Sequence, residues 1–207
     1  MEQRSDEWFS ARLGCVTASR TADVMAKTKT GYSASRANYM AQLITERLTG
    51  QASDGFSSAA MQWGTDTEPQ ARMAYEFVTG KTVQETGFVL HPSIKRFGAS
   101  PDGLVGVDGL IEIKCPNTAT HIDTLLAEKV PSKYVTQMHV QMICTGRSWC
   151  DFVSFDPRLI GEMSIWIKRV ERDDNRCKEI EAEVTKFLSE LEEKMGKLRA
   201  KFGGSDE

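Results

Sequence analysis

Residues 98–116 read GASPDGLVGVDGLIEIKCP. Nine residues separate Asp102 from Glu112, and one separates Glu112 from Lys114. Successive strand side chains point to opposite faces. Leu110, Glu112 and Lys114 therefore fall on one side of an extended chain, with Ile111, Ile113 and Cys115 on the other. Gly103, Gly106 and Gly109 punctuate the approach and predict a hairpin that returns Asp102 alongside Glu112. Two carboxylates and an ammonium then converge on one point at a strand edge. A carboxylate pair with room for water suits a hard divalent cation such as Mg²⁺. A lone Glu-x-Lys on a strand is usually a surface ion pair. Here Ile111 and Ile113 read as core residues of a central strand, and charges beside them need a reason.

Working outward, 207 residues are enough for one good core and predict a single domain over 1–207. Its parts are N-terminal helices and loops (1–60), a core (61–170), and a long C-terminal helix with a tail (171–207). Hydrophobic residues at 40% and charged residues at 27% describe an ordinary globular composition. No apolar run approaches the roughly eighteen residues of a membrane span, so no membrane association is expected. The start, MEQRSDEW, lacks the apolar core of a signal peptide, and the expectation is a cytoplasmic protein. The cysteines at 15, 115, 144, 150 and 177 form no CxxC pair, and the histidines at 91, 121 and 139 form no HxxxH spacing. That disfavours a disulfide framework or structural zinc and fits a reducing compartment. A net charge of −3 argues against a surface coated in positive charge, while leaving room for a basic channel.

Towards the N-terminus, residues 5–13 predict a short helix with Ser5 as N-cap, ended by Gly14. Ser19 then serves as cap of a second helix. Free N–H groups there, the hydroxyls of Thr17 and Ser19, and nearby Arg12 together suit an anion, especially a phosphate. Residues 27–34 read as a mobile loop and 35–49 as an amphipathic helix bearing Tyr39, Leu43, Ile44 and Leu48. The Ser/Gly-rich 51–59 reads as another loop. Thr67 is expected to cap a helix with Pro69 near its first turn, putting Glu68 at the helix start and Ala71, Tyr75 and Val78 on its apolar stripe.

Residues 81–91 and 94–99 alternate as antiparallel strands leading to Asp102. Beyond it, 117–129 is a helix capped by Asn117 or Thr118, and a second helix opens at Pro131-Ser132 and runs through Ile143. On that helix Tyr134, Gln137 and Gln141 share one side. Strands at 148–155 and 162–170 complete the sheet. From Asp173 a long helix carries an apolar seam of Ile180, Val184, Phe187, Leu188, Leu191, Met195 and Leu198, facing the body or a neighbouring subunit. The tail from Gly203 reads as disordered.

Pro101-Asp102 followed by Glu112-Ile113-Lys114 resembles the PD-(D/E)xK metal-dependent nucleases. The longer string from Ser100 to Leu104, with Glu112 to Pro116, resembles their phage lambda-type alkaline exonuclease branch, the YqaJ-like viral recombinase nucleases. Further resemblance runs from Trp8, Arg12 and Gly14 through Thr17-Ala18-Ser19, Trp63-Gly64-x3-Glu68 and Tyr134-x2-Gln137 to Asp156-Pro157-Arg158. It implies an α/β fold, a restriction-endonuclease-like central mixed sheet flanked by helices. By resemblance, Asp102, Glu112, the Ile113 backbone carbonyl and Glu68 are metal ligands for Mg²⁺, as two ions, with Mn²⁺ able to substitute. Lys114 and Gln137 complete the catalytic set, and Arg12, Thr17 and Ser19 bind the DNA 5′-phosphate.

The implied activity is ATP-independent, processive 5′→3′ hydrolysis of double-stranded DNA ends, releasing mononucleotides and leaving a 3′ single strand. Implied partners are a homotrimeric ring and a phage-type single-strand-annealing protein. Thr120 stands where the lambda-type pattern has an arginine, so that basic contact is either lost or supplied by Lys129 or Lys133, which puts end preference and processivity in doubt. The alternatives are a structure- or site-specific PD-(D/E)xK endonuclease, or a DNA-binding module on an inactive nuclease fold.

Overall fold

The stretch Gly109–Lys114 forms β8, the middle strand of a five-stranded sheet. The computed structural model describes residues 2–52 and 58–203. Before this sheet come α1 (Asp6–Arg12), β1 (Val16–Thr17), α2 (Thr21–Met25), β2 (Lys27–Thr28), β3 (Gly31–Tyr32), α3 (Ala34–Thr49) and α4 (Ala59–Thr79). Next are β4 (Val83–Gln84), β5 (Val89–Leu90), β6 (Phe97–Ala99) and β7 (Gly103–Val105). After β8 follow α5 (Thr118–Ala127), α6 (Ser132–Thr145), β9 (Trp149–Phe155), β10 (Ile165–Glu171) and α7 (Asp174–Phe202).

The main sheet runs β10-β9-β8-β7-β4, antiparallel except for the parallel β8–β9 pair. Both faces of β8 are buried, as a central strand requires. Ile111 and Ile113 pack with Ala71 and Tyr75 of α4, while Leu110 packs with Met138 and Met142 of α6. A second sheet, β1-β6-β5, shares its own core with α3, α6 and α7, where Tyr39 stacks on Phe187 at 5.9 Å. The architecture is the expected mixed α/β sheet flanked by helices. Two glycines are needed for closeness: a Cβ on Gly103 would lie 2.2 Å from Val83, and one on Gly109 2.0 Å from Trp149. Gly106, with φ 55°, makes the turn between β7 and β8. Among the described residues no helix is long and apolar enough to cross a membrane, and the five cysteines are free thiols.

The structure departs from several sequence expectations. Ser19 caps nothing: a 3₁₀ turn, Ala18–Arg20, begins at Thr17 and runs straight into α2. The chain turns there at once because Val16 and Ala18 are both drawn into the core. Residues 27–34 are the β2–β3 hairpin, pinned to α7 where Lys27 and the Tyr32 hydroxyl each reach Glu183 at 2.7 Å. Thr67 does not cap a helix, and Glu68 is not in a first turn. The Ser58 hydroxyl accepts from the Met61 N–H, so α4 starts at Ala59, the last residue of the expected 51–59 loop and well before the cap expected at Thr67, and carries Pro69 in its interior. Pro69 costs that helix the bond to the Thr65 carbonyl. Val78, Leu48 and Leu198 are exposed, so the apolar stripes of α4, α3 and α7 stop short of them. The strand expected over 81–91 divides, β4 joining the main sheet and β5 the smaller one. Residues 53–57 of the Ser/Gly-rich stretch and 204–207 of the tail lie outside the described residues.

Candidate active site

Strand register brings the two acids together. Gly103 pairs with Ile111, so Asp102 stands opposite Glu112 one step further along, with both side chains on the same face. One step beyond, Pro101 stands opposite Ile113 and has no N–H to offer its carbonyl. The Pro101 carbonyl is taken by Gln3 Nε2 at 2.7 Å, and the Ile113 N–H donates instead to Asp102 Oδ2 at 2.7 Å. That bond fixes the Asp102 carboxylate against β8.

Glu112 has no solvent exposure, and α6 holds it from behind. Gln137 Nε2 donates to its Oε1 at 2.7 Å, and Gln141 Nε2 donates to its Oε2. Lys114 reaches the same Oε1 and lies 5.2 Å from the centre of the Tyr134 ring. Burial first, then the charge of Glu112, push the Asp102 carboxyl well above the usual carboxylate range, against the pull of Lys114. Burial pulls the Lys114 pKa down, but Glu112 and Asp102 outweigh it and hold the group above the usual lysine value, as an ammonium.

A cleft of about 560 Å³ opens onto these groups, lined among others by Arg12, Ser19, Glu68, Asp102, Ile113 and Lys114. Glu68 lies between two arginines: Arg4 Nη2 is 2.9 Å from its Oε2 and Arg72 Nη2 is 3.1 Å from its Oε1. Arg72 also reaches Glu85 and, at 3.4 Å, the Asp102 carbonyl. Among the described residues no three His, Cys, Asp or Glu side chains form a ready-made metal cage. The donors are nevertheless hard oxygens: two carboxylates facing each other, one main-chain carbonyl without a strand partner, and an open cleft for water. That suits Mg²⁺, which keeps several waters and takes only one or two carboxylates.

In the same cleft, Arg12 Nη1 donates to the Ser100 hydroxyl at 2.9 Å, and its guanidinium lies 3.9 Å over Trp8. Trp8 Nε1 donates to the same hydroxyl at 3.0 Å. Arg12 has no carboxylate partner among the described residues, and burial lowers its pKa. Thr17 and Ser19 lie in an adjoining hollow of about 430 Å³ that shares Trp8, Arg12 and Ser19 with the cleft, their hydroxyls 3.4 Å apart.

The YqaJ-like viral recombinase domain matches residues 7–148. The chain belongs to that family. A crystal structure of the alkaline exonuclease LHK-Exo from Laribacter hongkongensis superposes with a TM-score of 0.90 at 56% identity, covering 95% of this chain and 97% of that one. A second structure of LHK-Exo, in complex with dAMP, matches equally well. A phage-related exonuclease from Haemophilus somnus 129PT shares the fold, with a TM-score of 0.71 at 16% identity over 89% of this chain and 96% of that one. No curated protein matches.

Set against the sequence expectations, this YqaJ-family chain brings Asp102, Glu112, Lys114, Gln137 and the Ile113 carbonyl together. Arg12 and Ser19 share their cleft, and Thr17 adjoins it. Glu68 lines the cleft too, but is paired with arginines. Three residues were missed. Gln141 was placed on the face of Gln137, yet its direct bond to Glu112 was not foreseen; the four-residue spacing was the available signal. Arg72 also had a local signal, its four-residue spacing from Glu68 on one helix, whereas Arg4 carried none, being 64 residues from that partner.

Proposed function

We propose that this YqaJ-family protein is a Mg²⁺-dependent, ATP-independent nuclease that hydrolyses double-stranded DNA from its ends, 5′→3′, leaving a 3′ single strand. The observation that carries the reading is one cleft lined by Asp102 and Lys114, with Glu112 buried directly beneath them, and by Arg12, which has no carboxylate partner among the described residues. An acid pair alone describes a nuclease in general. A cation without a carboxylate partner in the same cleft describes one that grips a terminal phosphate. The 56% identity to an alkaline exonuclease supports the same activity, and the dAMP in a structure of that relative is the kind of product stepwise hydrolysis releases.

Asp102, Glu112 and the Ile113 carbonyl would hold the first ion, with Glu68 assisting near a second once an arginine releases it. Bound there, Mg²⁺ supplies neutralisation of the phosphoryl oxygens and a more acidic water. The chain's own groups do the rest. Lys114, held as an ammonium beside Glu112, donates to charge developing on the phosphate. Gln137 and Gln141 keep the Glu112 carboxylate in one orientation, so no reorganisation is needed during reaction. Arg12, with the hydroxyls of Thr17 and Ser19, grips the 5′-phosphate and sets which bond reaches the acids. A homotrimeric ring around the duplex and delivery of the 3′ strand to a single-strand-annealing protein belong to the same proposal, as does a cytoplasmic setting.

Digestion of a strand-specifically labelled linear duplex with Mg²⁺ tests it. Mononucleotides released from the 5′ end are expected. Efficient cutting of closed circular DNA would instead identify an endonuclease.

A further inference from the structure

Behind the Gly14 turn, on the side away from the cleft, lies a hollow of about 320 Å³ lined by Arg47, Lys95, Arg96, Thr185, Ser189 and Glu192. Arg47 is its floor. Its side chain is only 3% exposed. Its Nε donates to the Gly14 carbonyl at 2.8 Å and its Nη1 to Glu192 at 2.5 Å. Its Nη2 is buried and has no partner among the described residues. A buried donor left unmatched costs about 1–3 kcal/mol, so native structures rarely leave one without a reason.

The charges around it are not balanced. Arg96 adjoins Arg47: its Nη1 is 3.4 Å from where a Cβ on Gly14 would stand, and the same Cβ would meet Arg47 Cγ at 2.7 Å. Neither Arg96 nor Lys95 has an ion-pair partner among the described residues, so three cations face the single carboxylate of Glu192. Burial, and after it the charge of Arg96, hold the Arg47 pKa down. Arg96 also sits at φ 59°, a left-handed conformation that non-glycine residues adopt at a cost. His91 locks the turn that imposes it, accepting the Ser93 and Ile94 N–H groups on Nδ1 at 3.0 and 2.8 Å. The fold thus holds two like charges together and leaves their outward side open. Thr185 and Ser189, one helical turn apart on α7, add hydroxyl donors on the opposite wall.

We propose that this hollow is a second anion site, taking a phosphate-class oxyanion that bridges Arg96, Lys95 and the Arg47 guanidinium. The hollow has room for such an ion with its waters, at about 30 Å³ per water. Its bearer is either a backbone phosphate of a nucleic-acid strand, an assignment that rests on the proposed function, or free phosphate. Because Arg47 and Glu46 hold the carbonyl and the N–H of Gly14, two residues from Arg12, occupancy also braces the turn that positions the end-binding groups.

The test compares wild type with the double variant Lys95→Gln/Arg96→Gln, both positions being exposed, in EDTA so that no cleavage occurs. One arm titrates inorganic phosphate against a chloride control of equal ionic strength and reads Tm. The other measures binding of a 5′-hydroxyl duplex, which lacks the terminal phosphate, across a salt series. A saturable Tm rise in wild type and none in the variant assigns the site to free phosphate. A flat phosphate arm, with a salt slope smaller by about 1–2 in the variant, assigns it to strand phosphates. Curves that superimpose for both proteins in both arms overturn the proposal. Failure of the nuclease reading shows separately, as inactivity of both proteins on linear duplex with Mg²⁺.

Discussion

Glu112 and Asp151 are buried carboxylates on adjacent strands, and their surroundings are opposite in kind. Asp151 pairs in register with Ile111, one step from Glu112, so it projects from the other face of the sheet, towards α4. There Arg169 meets it with two bonds of 2.8 and 2.9 Å, the Tyr75 hydroxyl donates at 2.8 Å, and Lys81 stands at 3.9 Å. Arg169 in turn lies 3.5 Å over Trp149. Both oxygens are hydrogen-bonded and the charge is cancelled, the signature of a structural acid. Glu112 is held by two neutral amides and shares one lysine with a second acid, Asp102. Its geometry is fixed while its charge is left partly open. Buried carboxylates are therefore better sorted by what remains uncompensated around them than by burial.

The largest expected effect falls on Lys114. Lys114→Ala should lower cleavage of a linear duplex by about 10²–10³ or more, the usual cost of one electrostatic stabiliser. DNA binding, read by anisotropy in EDTA, should largely survive. Wild-type turnover by the variant would remove Lys114 from the chemistry and dissolve the contrast with Lys81, which stands near Asp151 without any such role.

Asp151→Asn should do the reverse. It leaves Arg169 half-matched and the Tyr75 hydroxyl without its charged acceptor. Because Arg169 is 37% exposed and can turn to water, the cost is about 2–3 kcal/mol, below that of a fully buried pair. For a chain of this size that lowers Tm by roughly 5–10 °C. Activity below the transition should stay within about twofold of wild type. A variant that is stable but inactive would place Asp151 in the catalytic machinery.

Removing and restoring the metal sharpens the same contrast. Mg²⁺ at ten times its Kd should raise wild-type stability by about 1.4 kcal/mol, a few degrees in Tm. Asp102→Asn should abolish that rise and Asp151→Asn should keep it. An equal rise in all three proteins would mean the ion binds elsewhere.

The reasons some of this was legible in sequence are local. Two-residue periodicity exposed β8, three glycines announced the hairpin, and Asn117 and Ser5 capped their helices as written. With register following from the turn, Asp102 and Glu112 had to meet. What stayed hidden depended on partners far along the chain. Pro69 reads locally as a helix start, yet α4 tolerates it because the carbonyl it orphans belongs to Thr65, which lines the open cleft. Glutamines on a helix read as solvent-facing, and Gln141 is buried only because Glu112 lies across from it. The motif points to Glu68 and its four-residue spacing from Arg72 is local, but its grip by Arg4 comes only from the fold.

The smallest effect concerns Arg12, the cation that shares the cleft with the acids. Arg169 is saturated by Asp151, whereas among the described residues Arg12 meets the Ser100 hydroxyl and the rings of Trp8 and Phe88 but no carboxylate, so its charge remains available to a ligand. Arg12→Ala should therefore lower the preference for 5′-phosphorylated over 5′-hydroxyl ends, measured as a ratio of kcat/KM, by roughly fivefold, about 1 kcal/mol. Both substrates lose the same packing against Trp8, so the ratio isolates the phosphate contact from any general loosening of α1. Arg12→Lys should restore part of the preference by keeping the charge while losing the planar fork. An unchanged ratio in Arg12→Ala would show that an unpaired cation in this cleft is no guide to where the DNA end sits.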